Sequence, residues 1–299
     1  MKWTLPIVLS LLALGASGRQ AQQQPPANNE IFLVPLDVDA EPAVTAPAVN
    51  ITNNPGYDNQ PSFLPDGSGV LFSSNRDGKQ NDIYRYDLAS KKVTQVTSTP
   101  ENEYSPIVTP DGKTFSVIRV EADGAQRLWR FDLSGQNPRL VLENVKPVGY
   151  HVWIDATHLA LFVLGAQGQP ATLQLADTAT GQAEKIEASI GRSMSMRPGT
   201  HSATFVSKPA NEHWLIKDLD PRSKDTAWVT ETVDQNMSED FAWHPAGMLL
   251  MASGTKLFVR RAGNPDWREV ADLAGSDFKH ITRLAVSPDG KTLAFVADK

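Results

Sequence analysis

Between residues 55 and 100 the chain alternates apolar and polar positions in four short runs, at 61–63, 69–74, 82–87 and 92–97. Pro65-Asp66-Gly67, Arg76-Asp77-Gly78 and Ala89-Ser90-Lys91 part these runs. A period of two puts alternate side chains on opposite faces of a strand, and Asp-Gly supplies the positive φ of a tight hairpin. The segment therefore predicts a four-stranded antiparallel meander. One such sheet cannot cover both of its faces, so neighbours of the same kind are required.

The neighbours are present in the pattern. A shift of 45 residues lays Pro65-Asp66-Gly67 on Pro110-Asp111-Gly112, Pro61 on Pro106, and Ile83-Tyr84-Arg85-Tyr86-Asp87-Leu88 on Leu128-Trp129-Arg130-Phe131-Asp132-Leu133. Turn markers at Pro65, Pro110, Ile154, Pro198, Pro245 and Pro288 follow one another at steps of 45, 44, 44, 47 and 43 residues. Four strands in a repeat of this length define a β-propeller blade, which hides its faces against the blades on either side.

Counting repeats predicts an all-β, six-bladed β-propeller with blades at 57–98, 102–143, 148–187, 191–233, 238–272, and 279–299 joined to 30–53. The last blade is split. Residues 281–286 and 292–297 supply its first and second strands, while 30–37 and 49–53 supply the third and fourth, so the N-terminal strands close the ring and no sheet edge is left open. Seven blades is the alternative and needs one repeat more. Blade five is the least regular and lacks a clear second hairpin turn.

Composition adds the compartment. Lys2, the apolar stretch Trp3 to Leu14 and the small residues Ala16-Ser17-Gly18 read as a secretory signal over residues 1–18, with about 12 apolar residues against the roughly 20 that a membrane span needs. Residues 19–29, rich in Gln, Pro and Asn, read as a leader without a fold, and 30–299 as a single propeller domain. The chain has no cysteine, which removes disulfides and thiolate chemistry and suits export to a bacterial periplasm. A net charge of -6 without a Lys/Arg cluster argues against a nucleic-acid partner.

The segments SFLPDG at 62–67, SSNRDGKQNDIYRYDL at 73–88, SPIVTPDG at 105–112, RLWRFDL at 127–133 and LAVSPDG at 284–290 resemble the TolB-type (WD40-like) β-propeller repeat. The resemblance spans about residues 30–299, and it implies that the SPDG tetrads are turn and core elements. The same repeat occurs in periplasmic TolB, in peptidases of the prolyl oligopeptidase kind and in some sugar-acid lyases. TolB carries an α/β domain ahead of its propeller, so the likeness here is to the propeller alone. There is no Gly-x-Ser-x-Gly elbow, which speaks against a peptidase.

In a propeller the first strand of each blade runs beside the axis. The repeat then puts Asp58 and Asn59, Glu103 and Tyr104, Tyr150 and His151, Arg192 and Ser193, Glu239 and Asp240, and Thr282 and Arg283 around one channel mouth. From these, Asp58, Asn59, Glu103, Tyr104, His151, Arg192, Glu239, Asp240 and Arg283 are the candidate ligand-binding residues. The arginines suit a carboxylate and the carboxylates an amine or a hard cation. No His-x-His or His-x-x-x-His spacing supports a zinc site, and no cofactor is expected, with a divalent cation at the mouth left open. Six tryptophans, at 129, 153, 214, 228, 243 and 267, read as core between blades.

The leading expectation is a non-catalytic periplasmic module, monomeric, that binds an envelope protein or a small carboxylated ligand at the channel mouth. The alternative is a propeller-type lyase or lactone hydrolase acting on a carboxylated sugar, with His151 or Tyr104 as base and Arg192 and Arg283 on the carboxylate.

Overall fold

The computed structural model describes residues 28–37, 43–234, 237–275 and 278–298. The expected signal segment, residues 1–18, and most of the expected leader lie outside these. Asn29, placed in the leader, already pairs with Asp298 as the first residue of strand Asn29–Asp37.

Six antiparallel sheets form the ring. Blade 1 is built from Asp58–Phe63, Gly69–Ser74, Asp82–Asp87 and Lys92–Gln95. Blade 2 runs Asn102–Val108, Thr114–Val120, Gln126–Asp132 and Arg139–Leu140. Blades 3 to 5 start from the innermost strands Val148–Trp153, Ile190–Met196 and Phe241–His244. Blade 6 orders Ile281–Val286, Thr292–Asp298 and Asn29–Asp37 from the axis outward, with Ala43–Val44 and Val49–Asn50 both pairing the last of these. The N-terminal strand thus closes the ring in register, Ile31 opposite Val296 and Phe32 opposite Phe295.

Alternation along the second and third strands feeds two cores at once. Leu159, Leu161 and Val163 pack towards blade 2, while Ala160 and Phe162 pack towards blade 4. In the closing strand Ile31 joins the core with blade 1, and Phe32 and Val34 the core with blade 5. Strand Gly69–Ser74 is buried at every position because both of its faces are covered. Each of the six blade interfaces has an apolar cluster of this kind.

Polar ties cross the same interfaces. The Trp153 indole donates to Ser116 Oγ of blade 2 at 2.9 Å, and Trp243 repeats the contact to Thr204 Oγ1 of blade 4 at 2.9 Å. Trp228 departs from the expected core role. It lies on the outer strand Thr226–Glu231, where no further strand covers it, and is 62% exposed. Blade 5 has its hairpin after all: Ser253 pairs with Lys256 across Gly254-Thr255, and Gly254 supplies φ 59. Its signal was a lone glycine rather than Asp-Gly.

Candidate functional site

The innermost strand of each blade begins at the same face of the ring, and there the ladders slip. Register shifts fall between Asn59 and Ser62, Tyr104 and Ile107, and Thr282 and Ala285. Gln60, Ser105 and Arg283 occupy the bulges with φ of 59, 53 and 54. An inserted residue re-aims the side chains around it. In blades 1 and 2 the residues before the bulge turn away from the axis, and the bulge residues line an axial cavity of about 310 Å³ to which all six blades contribute.

Asp58, Asn59, Glu103 and Tyr104 therefore do not line that cavity. Asp58 is wholly buried and accepts from Arg76 Nη2 at 3.1 Å and Asn54 Nδ2 at 3.3 Å. Burial holds its pKa above the ordinary value, with Ser74, Arg76 and Asn54 opposing. Glu103 is equally buried, takes the Thr99 hydroxyl at 2.6 Å and faces Arg119 Nη2 at 3.3 Å. Burial also pushes its carboxyl up, against the Thr97, Thr99 and Arg119 contacts. Asn59 Oδ1 accepts the Gln60 amide at 2.8 Å and so holds the bulge.

Tyr104 sits beside the mouth rather than in it. Its hydroxyl accepts from Asn81 Nδ2 at 2.8 Å, its ring meets Tyr57 edge-on with centroids 6.1 Å apart, and burial raises its phenol. Tyr57, Tyr104 and Tyr150 line a shallow groove of about 320 Å³ that shares Gln60 and Tyr150 with the axial cavity. An aromatic shelf thus leads into the channel.

His151 lines the cavity and is itself buried, at 3% exposure, with Nε2 2.6 Å from Ser116 Oγ. Burial lowers its pKa to about 3, so the ring stays neutral in ordinary buffers.

The remaining four candidates come together. Arg192 Nη1 lies 2.7 Å from Glu239 Oε1 and Nη2 lies 2.6 Å from Asp240 Oδ2. Lys208 Nζ reaches Glu239 at 2.9 Å. Burial opposes the charge on Glu239, and Arg192 with Lys208 outweighs it, leaving the carboxyl below its usual range. Arg283 lies over the Tyr150 ring at 4.9 Å and donates to its hydroxyl at 2.8 Å; its nearest carboxylate, Asp240, is 4.0 Å away and already held by Arg192. Three cations meet two carboxylates in this cluster, and the unmatched positive charge falls on Arg283.

Gln60 and Ser105 line the mouth but are not among the residues the repeat puts there, whereas Tyr150 is one the repeat does put there. A signal existed: Pro61 and Pro106 cannot donate to a ladder, which marks an irregular strand just after Gln60 and Ser105. Among the described residues no group of three or more His, Cys, Asp or Glu is placed to hold a metal ion. No helix among them is long and apolar enough to cross a membrane.

Six blades around an axial cavity of mixed polar and apolar lining define the class: a six-bladed β-propeller. Residues 27–149 match the family model described as the TolB beta propeller domain. Among solved structures it is similar to a TolB-designated protein from Agrobacterium tumefaciens, with a TM-score of 0.72, 15% identity, and coverage of 91% of this chain and 99% of that one. It is also similar to TolB from Acinetobacter baumannii, with a TM-score of 0.55 and 15% identity, over 90% of this chain and 63% of that one. An oligogalacturonate lyase in complex with manganese aligns with a TM-score of 0.57 at 15% identity, over 84% of this chain and 79% of the lyase. At such identities the likeness carries the fold alone.

Proposed function

We propose that this chain is an exported, periplasmic TolB-like propeller that works as a non-catalytic binding module, taking a carboxylate of an envelope protein or small envelope ligand at the channel mouth. The observation that carries this reading is Arg283, whose guanidinium faces the axial cavity with only a distant, already paired carboxylate. Charge-assisted contacts to a planar carboxylate are the natural use of such a group. Residues 1–18, with the features of a secretory signal, support the periplasmic part.

The lyase alternative draws no support from the two bases suggested for it. His151 binds a proton only near pH 3, and burial raises the Tyr104 phenol away from neutrality. Neither matches the proton affinity that a base working near pH 7 needs.

The test is calorimetry with acidic peptides and small carboxylic acids on the wild-type chain and on Arg283→Gln. Loss of a charge-assisted hydrogen bond is worth about 1.5–3 kcal/mol, so binding should weaken about ten- to hundredfold. Equal affinity for wild type and variant would place the site elsewhere.

A further inference from the structure

The outermost strand of each blade ends its sheet, and an open sheet edge invites another strand unless charge or shortness blunts it. Blade 1 ends in Lys92–Gln95, with Lys92 on the edge. Blade 3 carries Glu184, Lys185 and Glu187 on Gln182–Ala188, and blade 5 carries Arg268, Glu269 and Asp272 on Arg268–Asp272. The outer strands of blades 2 and 6 are two residues long. Blade 4 differs. Its strand Thr226–Glu231 has six residues, no proline and no charge before Glu231, and no strand among the described residues pairs with its outer edge.

The register sharpens the contrast. The same one-residue bulge interrupts the outer strands of blades 3, 4 and 5, and it sets Lys185 opposite Gln174, Trp228 opposite Lys217 and Glu269 opposite Phe258. Where the flanking blades hold a charge, blade 4 exposes a tryptophan. Alternation puts Thr226 and Trp228 on one face with Lys217, and Thr226 Oγ1 and Lys217 Nζ both reach Glu187 of blade 3, at 3.3 and 2.5 Å. Lys224 Nζ lies 2.5 Å from Glu184. Lys217 and Lys224 are thus matched by carboxylates, and a like surface can approach Trp228 without net repulsion.

We propose that two copies of this chain pair antiparallel along Thr226–Glu231, joining their blade 4 sheets across a twofold axis. Such a contact sets one patch against itself, and backbone hydrogen bonds between the edges supply its affinity. A register with Ala227 opposite Trp228 of the second copy also sets Lys224 opposite Glu231, so base meets acid at both ends. That charge match selects a copy of this chain as the occupant. Within one chain Lys224 and Glu231 make only exposed pairs, with Glu184 and with His213, the latter at 3.1 Å, and exposed pairs are weak enough to exchange. The contact lies on the outer circumference of the ring, so it leaves the channel mouth open and is independent of what binds there.

The experiment is sedimentation velocity of the whole chain over about 1–500 µM. An edge contact with one aromatic anchor is smaller than a standard interface, so the dimer should be reversible and form within this range. Trp228→Lys, which copies the residue of blade 3, should weaken it about thirtyfold or more while leaving Tm unchanged, because the side chain is exposed. Lys224→Glu should weaken it about three- to tenfold, and Lys224→Glu combined with Glu231→Lys should restore it. A wild-type chain that stays monomeric to about 500 µM, as the sequence led us to expect, would overturn the proposal. So would a dimer that Trp228→Lys leaves intact, which places the contact on another face. A dimer lost in Trp228→Lys but not restored by the charge swap refutes the antiparallel pairing of this strand.

Discussion

Arg119 is the most informative place to disturb the ring. It is 8% exposed in its side chain and lies between blade 2 carboxylates, with Nη2 3.3 Å from Glu103 and Nε 2.9 Å from Glu101, the latter off the line of its N–H. Its guanidinium also covers Trp129 at 4.7 Å and Phe131 at 5.6 Å. Arg119→Met keeps an apolar stem against these rings and removes the charge, leaving Glu103 buried without its cation. Breaking a buried pair in this one-sided way costs about 3–5 kcal/mol. For a domain of this size that is roughly 2 °C per kcal/mol, or a fall of roughly 6–10 °C in Tm.

The pH dependence follows from Glu103. Its folded pKa is raised above the ordinary 4.5, so its contribution to stability is complete below that value and is lost as pH rises through the folded pKa. Without Arg119 the carboxyl should be raised further, so the loss in the variant should be largest at neutral and alkaline pH and shrink on acidification towards pH 5. Urea unfolding of both proteins between pH 5 and 8 measures it, and Glu103→Gln in the variant background should recover most of the loss. A deficit below about 1 kcal/mol at pH 7.5, or one that is the same at every pH, would refute the account of Glu103 as a buried charge that depends on Arg119.

His151 should show no imidazole titration by NMR between pH 4 and 8. Its folded pKa of about 3 lies below the ordinary 6.5, so its contribution is complete above 6.5 and lost as pH falls towards 3; a midpoint near 6.5 would contradict its burial. Gly135 in the turn before Arg139–Leu140 has φ 78, and a Cβ there would overlap the Val96 carbonyl of blade 1. Gly135→Ala should cost about 2–4 kcal/mol by denaturant melts, against about 1 kcal/mol for Gly112→Ala, where φ is 68 and nothing lies within 4 Å. Equal costs would show that the blade 1 contact adds nothing.

Particular residues show how far the chain could be read in advance. The pairing of Ile31 with Val296 was legible because strand patterns at the two ends lacked complementary halves. Arg192, Glu239 and Asp240 were legible as neighbours because the repeat aligns them at one end of adjacent inner strands, and they do form one ion-pair cluster. Asp58 and Glu103 were aligned equally well, yet they face Arg76 and Arg119 inside the ring instead of the axis. The difference lies in one bulge residue per strand, which period-two patterning treats as noise.

The sequence by itself determined the strands, their grouping by four, the number of blades and the way the ends join, because these follow from local alternation and from a period that any register must respect. Only the tertiary structure decided which polar groups reach the channel, which are spent on one another and which stay unpaired. That outcome depends on bulges of one residue and on distances between blades, because a shift of a single position separates a buried structural charge such as Glu103 from a side chain that lines the cavity.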